Sequence, residues 1–257
     1  MIGYLVGSGF YDQPGFTATE VATRHGGATV LLGETASGRV ALISRHGPGH
    51  QRLSNHVNHR ANLLALKQVG VSAVVSCSVC GVLRDNWPIG RPLLANEVYF
   101  PVNRLPNGEV CTVFDQPGEP GRGHLIAGSL IDGRLSSSIA GVWHRLGLDC
   151  LEGIYGHVDG PRLNTKPEIR ALNAAGVDFI SQTCGPEAVL ANELELPYAL
   201  AAFGVDHANG VVNPPTSPEI LGTNLSAGTK AFRLLVESLV EPPDGFKFVN
   251  FVYRFGG

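Results

Sequence analysis

Arg45 and His46 form the adjacent pair of residues in this sequence with the clearest chemical capability. They follow an apolar run over residues 40–44 that is typical of a buried strand. Arginine offers five N–H donors in a fixed fork that suits an oxyanion, and histidine adds a donor that can carry charge near neutral pH. Ligands of α/β sheets bind at the carboxyl ends of strands. The pair therefore predicts an anion site at a strand end, with a solvated polar loop as the plainer alternative.

Other strand ends carry polar side chains suited to the same site. The first strand, Ile2–Val6, opens into a Gly-Ser-Gly turn at residues 7–9, where backbone N–H groups and the Ser8 hydroxyl could converge on an anion. The remaining strand ends supply two hydroxyls, an amide and a carboxylate: Ser78, Thr183, Gln182 and Asp206. We expect the hydroxyl, arginine and histidine group to hold an oxyanion and the carboxylate at the far end to address a heterocycle.

The elements that must position these residues alternate between strands and helices. Strands are predicted over residues 2–6, 28–32, 40–44, 73–79, 150–158, 177–180 and 198–205. Helices are predicted from residue 54 or 55 to 70, over 125–146, 168–175 and 217–240, and from Pro186 onward, where Glu187 lies beside the N-terminal dipole. Such alternation predicts an α/β fold, a single domain over residues 1–257 with a central mixed, largely parallel β-sheet flanked by helices.

Composition bounds the kinds of function that the chain can have. The 257 residues are 44% hydrophobic, enough for one large core, and the net charge of −3 provides no broad basic field for nucleic acid or an anionic membrane. The five cysteines are scattered, which favours reduced thiols in a cytoplasm. Cys77 and Cys80 form a CxxC without a second pair at metal spacing, so a zinc or redox role is disfavoured. No leader or membrane span is predicted.

The aromatic tail, residues 246–255, is too apolar to remain in water. It can add a strand to its own sheet or pack on a neighbouring subunit. We favour the second, and with it an oligomer.

Six segments, in order along the chain, resemble the purine nucleoside phosphorylase family, in particular its trimeric methylthioadenosine phosphorylase branch. They are GSGF (7–10), SRHGPGH (44–50), VNHRANLLALK (57–67), SVCG (78–81), DGPRLNTKPE (159–168) and QTCGPEAVLANELELPYA (182–199). The resemblance covers most of the chain and is weak over roughly 90–150 and the tail. It implies a homotrimer or a dimer of trimers that acts on a nucleoside and inorganic phosphate, without a cofactor or metal.

The resemblance also assigns roles to individual residues. Five of them would hold the phosphate: Ser8, Arg45, His46, Ser78 and Thr183. Four would contact the nucleoside: His50 near the 5′ substituent, Leu163 beside the base, Gln182 beneath the ribose and Asp206 facing the purine. His46 and Asp206 are the residues expected to act in catalysis.

The implied reaction is phosphorolysis of an N-glycosidic bond, which gives a free base and a ribose 1-phosphate. Breaking this bond makes the sugar cation-like and the base anion-like. Catalysis therefore requires an anion held beneath C1′ and a proton or hydrogen bond given to the leaving base. Asp206 can assist if burial keeps it protonated or if it accepts from an exocyclic amine.

Four features depart from the family pattern. Ser8 stands where many relatives have threonine, a change that keeps the hydroxyl. Gln182 replaces a methionine, Gly185 replaces a bulkier residue, and residues 203–206 keep only the second acid of a TD-x-D pattern. Phosphate binding is preserved in principle, whereas the identity of the base stays open. The alternatives to 5′-methylthioadenosine are a methylthioinosine or other 6-oxopurine nucleoside, a hydrolytic nucleosidase, and a nucleoside-binding module without turnover.

Overall fold

The computed structural model describes residues 1–7 and 14–255. Their strands are β1 (Ile2–Val6), β2 (Thr17–Thr23), β3 (Gly26–Thr35), β4 (Gly38–Ser44), β5 (Ala73–Val82), β6 (Arg91–Tyr99), β7 (His124–Ile126), β8 (Leu151–His157), β9 (Phe179–Ser181), β10 (Tyr198–His207) and β11 (Phe251–Tyr253). Their α-helices are α1 (His59–Gln68), α2 (Gly133–Arg145), α3 (Lys166–Ala174), α4 (Cys184–Glu193) and α5 (Pro218–Ser238).

Nine strands form a mixed sheet in the order β10-β6-β8-β9-β5-β1-β4-β3-β2. Strand β10 also pairs with β5, so β5, β10, β6, β8 and β9 close into a ring. Strand β1 runs parallel to both β4 and β5, and β5 runs parallel to β10. The predicted α/β class with a mixed sheet flanked by helices is confirmed. The sheet is less parallel than expected, because β2–β3, β3–β4, β5–β9 and β6–β10 are antiparallel.

Two helices cover each face of the sheet, and the strands alternate their side chains between the two layers. Helices α1 and α4 pack against the face that carries Val74 and Leu200. Helices α2 and α5 pack against the face that carries Val75 and Ala201. This sandwich holds the carboxyl ends of β1, β4, β5 and β10 in one place.

Two helix starts differ from the sequence prediction. Helix α1 begins at His59, capped by the Asn58 side chain, which accepts from the Ala61 N–H at 3.1 Å. Residues 54–56 form a separate short turn because Val57 is extended. Helix α2 begins at Gly133, where Asp132 accepts from the Leu135 N–H at 2.7 Å, and residues 124–126 form β7 instead.

The aromatic tail forms a strand of its own chain. β11 pairs antiparallel with β7 in a separate two-stranded sheet, with Phe251 opposite Ile126 and Tyr253 opposite His124. Val252 is buried, whereas Phe251 and Tyr253 remain exposed on the outer face. Packing of this face on a neighbouring subunit stays a prediction.

Candidate active site

A cavity of about 690 Å³ opens at the carboxyl ends of β1, β4, β5 and β10. Eight of the nine residues singled out from the sequence line it: Arg45, His46, His50, Ser78, Leu163, Gln182, Thr183 and Asp206. The ninth, Ser8, lies outside the described residues. The strand topology therefore brings together side chains that are up to 161 positions apart in the chain, as Arg45 and Asp206 are.

Arg45 is buried at the floor of this cavity. Its backbone N–H donates to the Val6 carbonyl at 3.0 Å, which continues the β1–β4 pairing by one residue. Its Nη1 donates to the Cys77 carbonyl at 2.9 Å and its Nη2 to the Leu5 carbonyl at 2.7 Å. The guanidinium thus bridges the ends of β1 and β5, and its orientation is fixed by the backbone.

Glu187 is the counterion of Arg45. Its two carboxylate oxygens accept from Nε at 2.8 Å and from Nη2 at 3.1 Å. Burial opposes the charged form of Arg45, but Glu187 more than offsets it and the pKa of the guanidinium is raised. The sequence reading of Glu187 as a residue beside the helix dipole is thus incomplete: its side chain points into the core and pairs with a cation.

His46 is held as a neutral ring. Its Nδ1 donates to the Arg52 carbonyl at 2.8 Å, since a carbonyl can only accept. Burial, followed by the charge of Arg45, lowers the pKa of the imidazole to about 4. At pH 7 the second nitrogen, Nε2, therefore carries a lone pair. Through Nε2 the neutral ring can accept a hydrogen bond from a P–OH group, and contact of His46 with phosphate stays a prediction.

His50 stacks on His46. The two ring centroids are 4.2 Å apart with planes 12° from parallel. His50 adopts a left-handed backbone with φ of 57°, which turns the chain back toward the cavity after Gly49. His50 also lines the cavity, and its contact with a 5′ substituent stays a prediction.

Two hydroxyls and a helix N-terminus border the same end of the cavity. Ser78 donates to Ser181 Oγ at 3.0 Å, and Thr183 is the buried N-cap residue of α4. The N-terminus of a helix favours an anion through its backbone N–H groups and dipole. Sequence reasoning missed Ser181, although it immediately precedes Gln182 at a predicted strand end. Arg45, His46, Ser78 and Thr183 together make this end suited to an oxyanion.

Gln182 ties three segments of the wall together. Its Oε1 accepts from Ser54 Oγ at 2.9 Å, and its Nε2 donates to the Arg162 carbonyl at 2.9 Å. Both polar ends of the amide are thus engaged with protein groups, and contact with a ribose stays a prediction. A Cβ on Gly160 would lie 2.1 Å from Gln182 Oε1 and 2.2 Å from Ser54 Oγ, which explains the glycine.

Replacing Gly160 with alanine is expected to destabilise the protein by roughly 1–3 kcal/mol, because the new methyl overlaps two hydrogen-bonded side chains. Chemical denaturation measures the loss. Gly222→Ala is the matched control: it lies within α5 with nothing within 4 Å of the added methyl, and alanine there stabilises by about 0.5–1 kcal/mol. Equal stability of the Gly160 variant and wild type would contradict the link through Gln182.

The loop over residues 159–165 forms the rim of the cavity. Arg162 pairs with Glu168 through two hydrogen bonds of 2.9 and 2.7 Å, and Thr165 caps α3. Leu163 lines the cavity yet is 72% exposed. An exposed leucine at a cavity mouth is suited to cover one face of an apolar ring.

Asp206 lies at the opposite end from Arg45. It pairs with Gly81 in the β5–β10 register, three residues beyond Ser78, which is about 10 Å along the strand. Burial raises the pKa of its carboxyl to about 6, and His207 acts in the opposite direction. The anion-binding end and this carboxyl are thus separated by about the length of a nucleoside.

An apolar wall, missed by the sequence analysis, joins the two ends. It combines residues of β5, β10 and α5: Val79, Val205, Leu221, Leu225 and Phe232. The α5 residues lie within the predicted helix over residues 217–240, where their spacing is that of ordinary core positions. Gly185 is explained by close packing: a Cβ there would lie 2.6 Å from His157 Cβ and 2.9 Å from Phe100 Cγ.

The thiols near the cavity are buried and protonated. Burial raises the pKa of Cys77 to about 12 and that of Cys80 well above its usual value. Within residues 1–7 and 14–255, no group of three or more His, Cys, Asp or Glu is arranged to hold a metal ion. None of the described helices is long and apolar enough to cross a membrane.

The chain belongs to the phosphorylase superfamily, whose family model matches residues 2–241. The S-methyl-5′-thioadenosine phosphorylase of Thermofilum pendens is 30% identical over 249 residues, which are 95% of this chain and 92% of that protein. The 6-oxopurine nucleoside phosphorylase of Pyrococcus furiosus is 31% identical over 220 residues, 82% of this chain and 80% of the other. The resemblance inferred from the sequence is thereby confirmed.

Solved structures share the fold. Methylthioadenosine phosphorylase from Schistosoma mansoni, in complex with adenine, superimposes with a TM-score of 0.82 at 22% identity, over 92% of this chain and 89% of that one. A methylthioadenosine phosphorylase from an Antarctic soil metagenomic library gives 0.81 at 24% identity, over 92% and 83%. At 22–24% sequence identity, these two comparisons establish a shared fold and nothing beyond it.

Proposed function

We propose that the protein is a phosphate-dependent purine nucleoside phosphorylase, a pentosyltransferase. The observation that carries the proposal is a cavity that joins an oxyanion-binding end, built around Arg45 and the α4 N-terminus, to a half-buried carboxyl at Asp206. This spacing fits phosphate beneath C1′ and a purine against Asp206. Ser8, Arg45, His46, Ser78 and Thr183 are the proposed phosphate ligands, and inorganic phosphate is a co-substrate rather than a cofactor.

The reaction follows from these positions. A phosphate oxygen forms a bond to C1′ as the C1′–N9 bond breaks and its electron pair moves to the base. The base takes up one proton, which balances the proton that hydrogen phosphate loses when it becomes the sugar ester. Nη1 of Arg45 and the α4 N-terminus hold the phosphate, and the neutral His46 accepts a hydrogen bond from its P–OH group. The anion beneath the ring stabilises the cation-like sugar. The chain's residues thus act through binding, orientation and charge, without a covalent enzyme intermediate.

The proposed substrate is 5′-methylthioadenosine. An apolar wall that includes Val79, Leu225 and Phe232 suits a methylthio group better than a hydroxyl, which needs a hydrogen-bond partner when buried. His50 and Leu163 are the proposed contacts of the 5′ group and the base, and Gln182 the proposed contact of the ribose. The 30% identity to a protein of that name supports the same choice.

A 6-oxopurine nucleoside is the second candidate. The observation that favours it is the pKa of about 6 for Asp206, which lets a substantial fraction of the carboxyl donate to a 6-oxo group at mildly acidic pH. The relative from Pyrococcus furiosus carries that activity in its name.

Base release from 5′-methylthioadenosine, adenosine and inosine, with and without inorganic phosphate, tests the proposal. We expect release to require phosphate and to yield a sugar 1-phosphate, with 5′-methylthioadenosine as the best substrate. Phosphate-independent release would identify a hydrolase. Nucleoside uptake without any release would identify a binding module.

We further propose a cytoplasmic trimer or dimer of trimers. All five cysteines are free thiols, which suits a reducing compartment, and the aromatic face of β11 offers an apolar contact surface. Light scattering of the purified protein measures the subunit number.

A further inference from the structure

The carboxylate of Glu187 is placed where it can control Arg45 but cannot touch a substrate. It is fully buried and does not line the cavity. Arg45 donates two hydrogen bonds to it, and Ser76 Oγ donates one of 2.6 Å. A buried carboxylate with this many charge-assisted bonds is a rigid anchor.

Arg45 has five N–H donors, and the fold engages four of them. The Nε–H and one N–H of Nη2 donate to the Glu187 carboxylate. The other N–H of Nη2 donates to the Leu5 carbonyl, and one N–H of Nη1 donates to the Cys77 carbonyl. The second N–H of Nη1 has no acceptor among the described residues. Nη1 lies 3.6 Å from the point where a Cβ on Gly7 would stand, and Gly7 lines the cavity. One donor therefore remains for an anion.

The nearby histidine, His59, does not act as a second counterion of the Glu187 carboxylate. His59 is buried, its Nδ1 lies 3.7 Å from Glu187 Oε1, and burial keeps its pKa well below the usual value. Neither of its ring nitrogens has a hydrogen-bond partner within the described ranges. A neutral His59 does not compete with the guanidinium. Because the positive charge of Arg45 is balanced, what it offers phosphate is chiefly a directed hydrogen bond, so its orientation matters more than its charge.

We propose that Glu187 is a positioning residue for phosphate, which holds the Arg45 guanidinium so that one Nη1–H faces the anion, with Ser76 holding Glu187 in turn. The inference rests on the proposed phosphate site. It assigns roles to two side chains, on α4 and β5, that lie behind that site.

The test compares Glu187→Asp and Glu187→Gln with wild type. The first keeps the charge and shortens the side chain, and the second keeps the shape and removes the charge. Each breaks the two-point grip on Arg45. We expect the KM for phosphate, and the Kd of inorganic phosphate by calorimetry, to rise by about 10- to 100-fold, while the KM for nucleoside stays within about two-fold.

Glu193→Gln is the matched control. Glu193 lies on the same helix and accepts hydrogen bonds from Thr112 Oγ1 at 2.9 Å and the Val113 N–H at 2.6 Å, away from the cavity. Its substitution is expected to lower stability without changing the KM for phosphate. A general loss of folded protein would lower the apparent kcat of every variant and leave this KM alone.

If the Glu187 variants do not fold, Ser76→Ala tests the positioning role of Glu187 instead. Ser76 touches Glu187 and does not line the cavity, so a rise in phosphate KM of about three-fold or more supports the relay through Glu187. An unchanged phosphate KM and Kd in Ser76→Ala, or in folded Glu187 variants, overturns it. If the wild type releases base equally well without phosphate, the proposed function is refuted. The Kd of inorganic phosphate measured by calorimetry would still test the positioning role of Glu187.

Discussion

Arg45→Ala is expected to abolish phosphorolysis, with kcat/KM for phosphate reduced by roughly 10³-fold or more while nucleoside binding changes little. The guanidinium is a buried donor that lines the proposed anion-binding end of the cavity. Its loss also leaves Glu187 charged and unpaired in the core. Such an unpaired buried charge costs about 3–5 kcal/mol of folding free energy. Steady-state kinetics at varied phosphate, with nucleoside affinity by calorimetry, measures the first effect, and denaturation measures the second.

Two further variants separate activity from stability. Arg45→Lys keeps a positive charge but has no planar fork, so it cannot reproduce the pairing with Glu187. The double variant Arg45→Met/Glu187→Leu removes both charges, and we expect it to regain most of the lost stability without regaining activity. Full activity in either variant would remove Arg45 from the phosphate site.

The residues at the strand ends could be located from sequence because each follows a recognisable apolar run. Val6, Ser44 and Val79 close such runs, and parallel neighbours must end at the same edge of a sheet. The alternation of strands and helices likewise identified the fold class. Apolar runs and the rule that parallel strands end at the same edge of a sheet were therefore sufficient to predict the strand-end residues and the fold class.

The partners of those residues could not be located in the same way. Arg45 and Glu187 are 142 positions apart, and their contact exists only after α4 docks onto β5. One signal was present: the segment CGPEAVLAN is small or apolar on every side, so its helix must be buried. A glutamate within a fully buried helix requires a cationic partner, and Arg45, at the end of a buried strand, is a candidate for that partner.

The closure of the sheet into a ring also lay beyond local reasoning. It depends on β10 pairing with both β5 and β6, and on the short antiparallel contact between β5 and β9. Neither pairing can be predicted from the pattern of apolar residues within a single strand. The wall that α5 supplies was missed for the same reason, since Leu221 and Leu225 have the spacing of ordinary core residues.

Asp206→Asn is expected to change the choice between 6-amino and 6-oxo purines by roughly 10- to 100-fold, because one charged hydrogen bond to the base is altered. The carboxyl has a pKa of about 6, so it is mainly a carboxylate above that pH and mainly protonated below it. A carboxylate accepts from a 6-amino group and repels a 6-oxo group. A protonated carboxyl donates to the 6-oxo group instead.

This protonation state gives the wild type a pH-dependent specificity. The ratio of kcat/KM for 5′-methylthioadenosine to that for 5′-methylthioinosine should fall as pH drops through about 6. His46, with a pKa of about 4, titrates below this range. In Asp206→Asn the ratio should become independent of pH and shift toward the 6-oxo substrate, since an amide donates at every pH.

Asp85→Asn is the matched control, an acid-to-amide change at a residue that does not line the cavity. Its ratio and pH profile should equal those of the wild type. If Asp206→Asn also keeps the wild-type ratio at every pH, this side chain does not face the purine. The base would then be recognised by groups on the rim, where Asn164 and Asn209 form a polar pair joined by a 2.8 Å hydrogen bond from Asn209 Nδ2 to the Asn164 carbonyl.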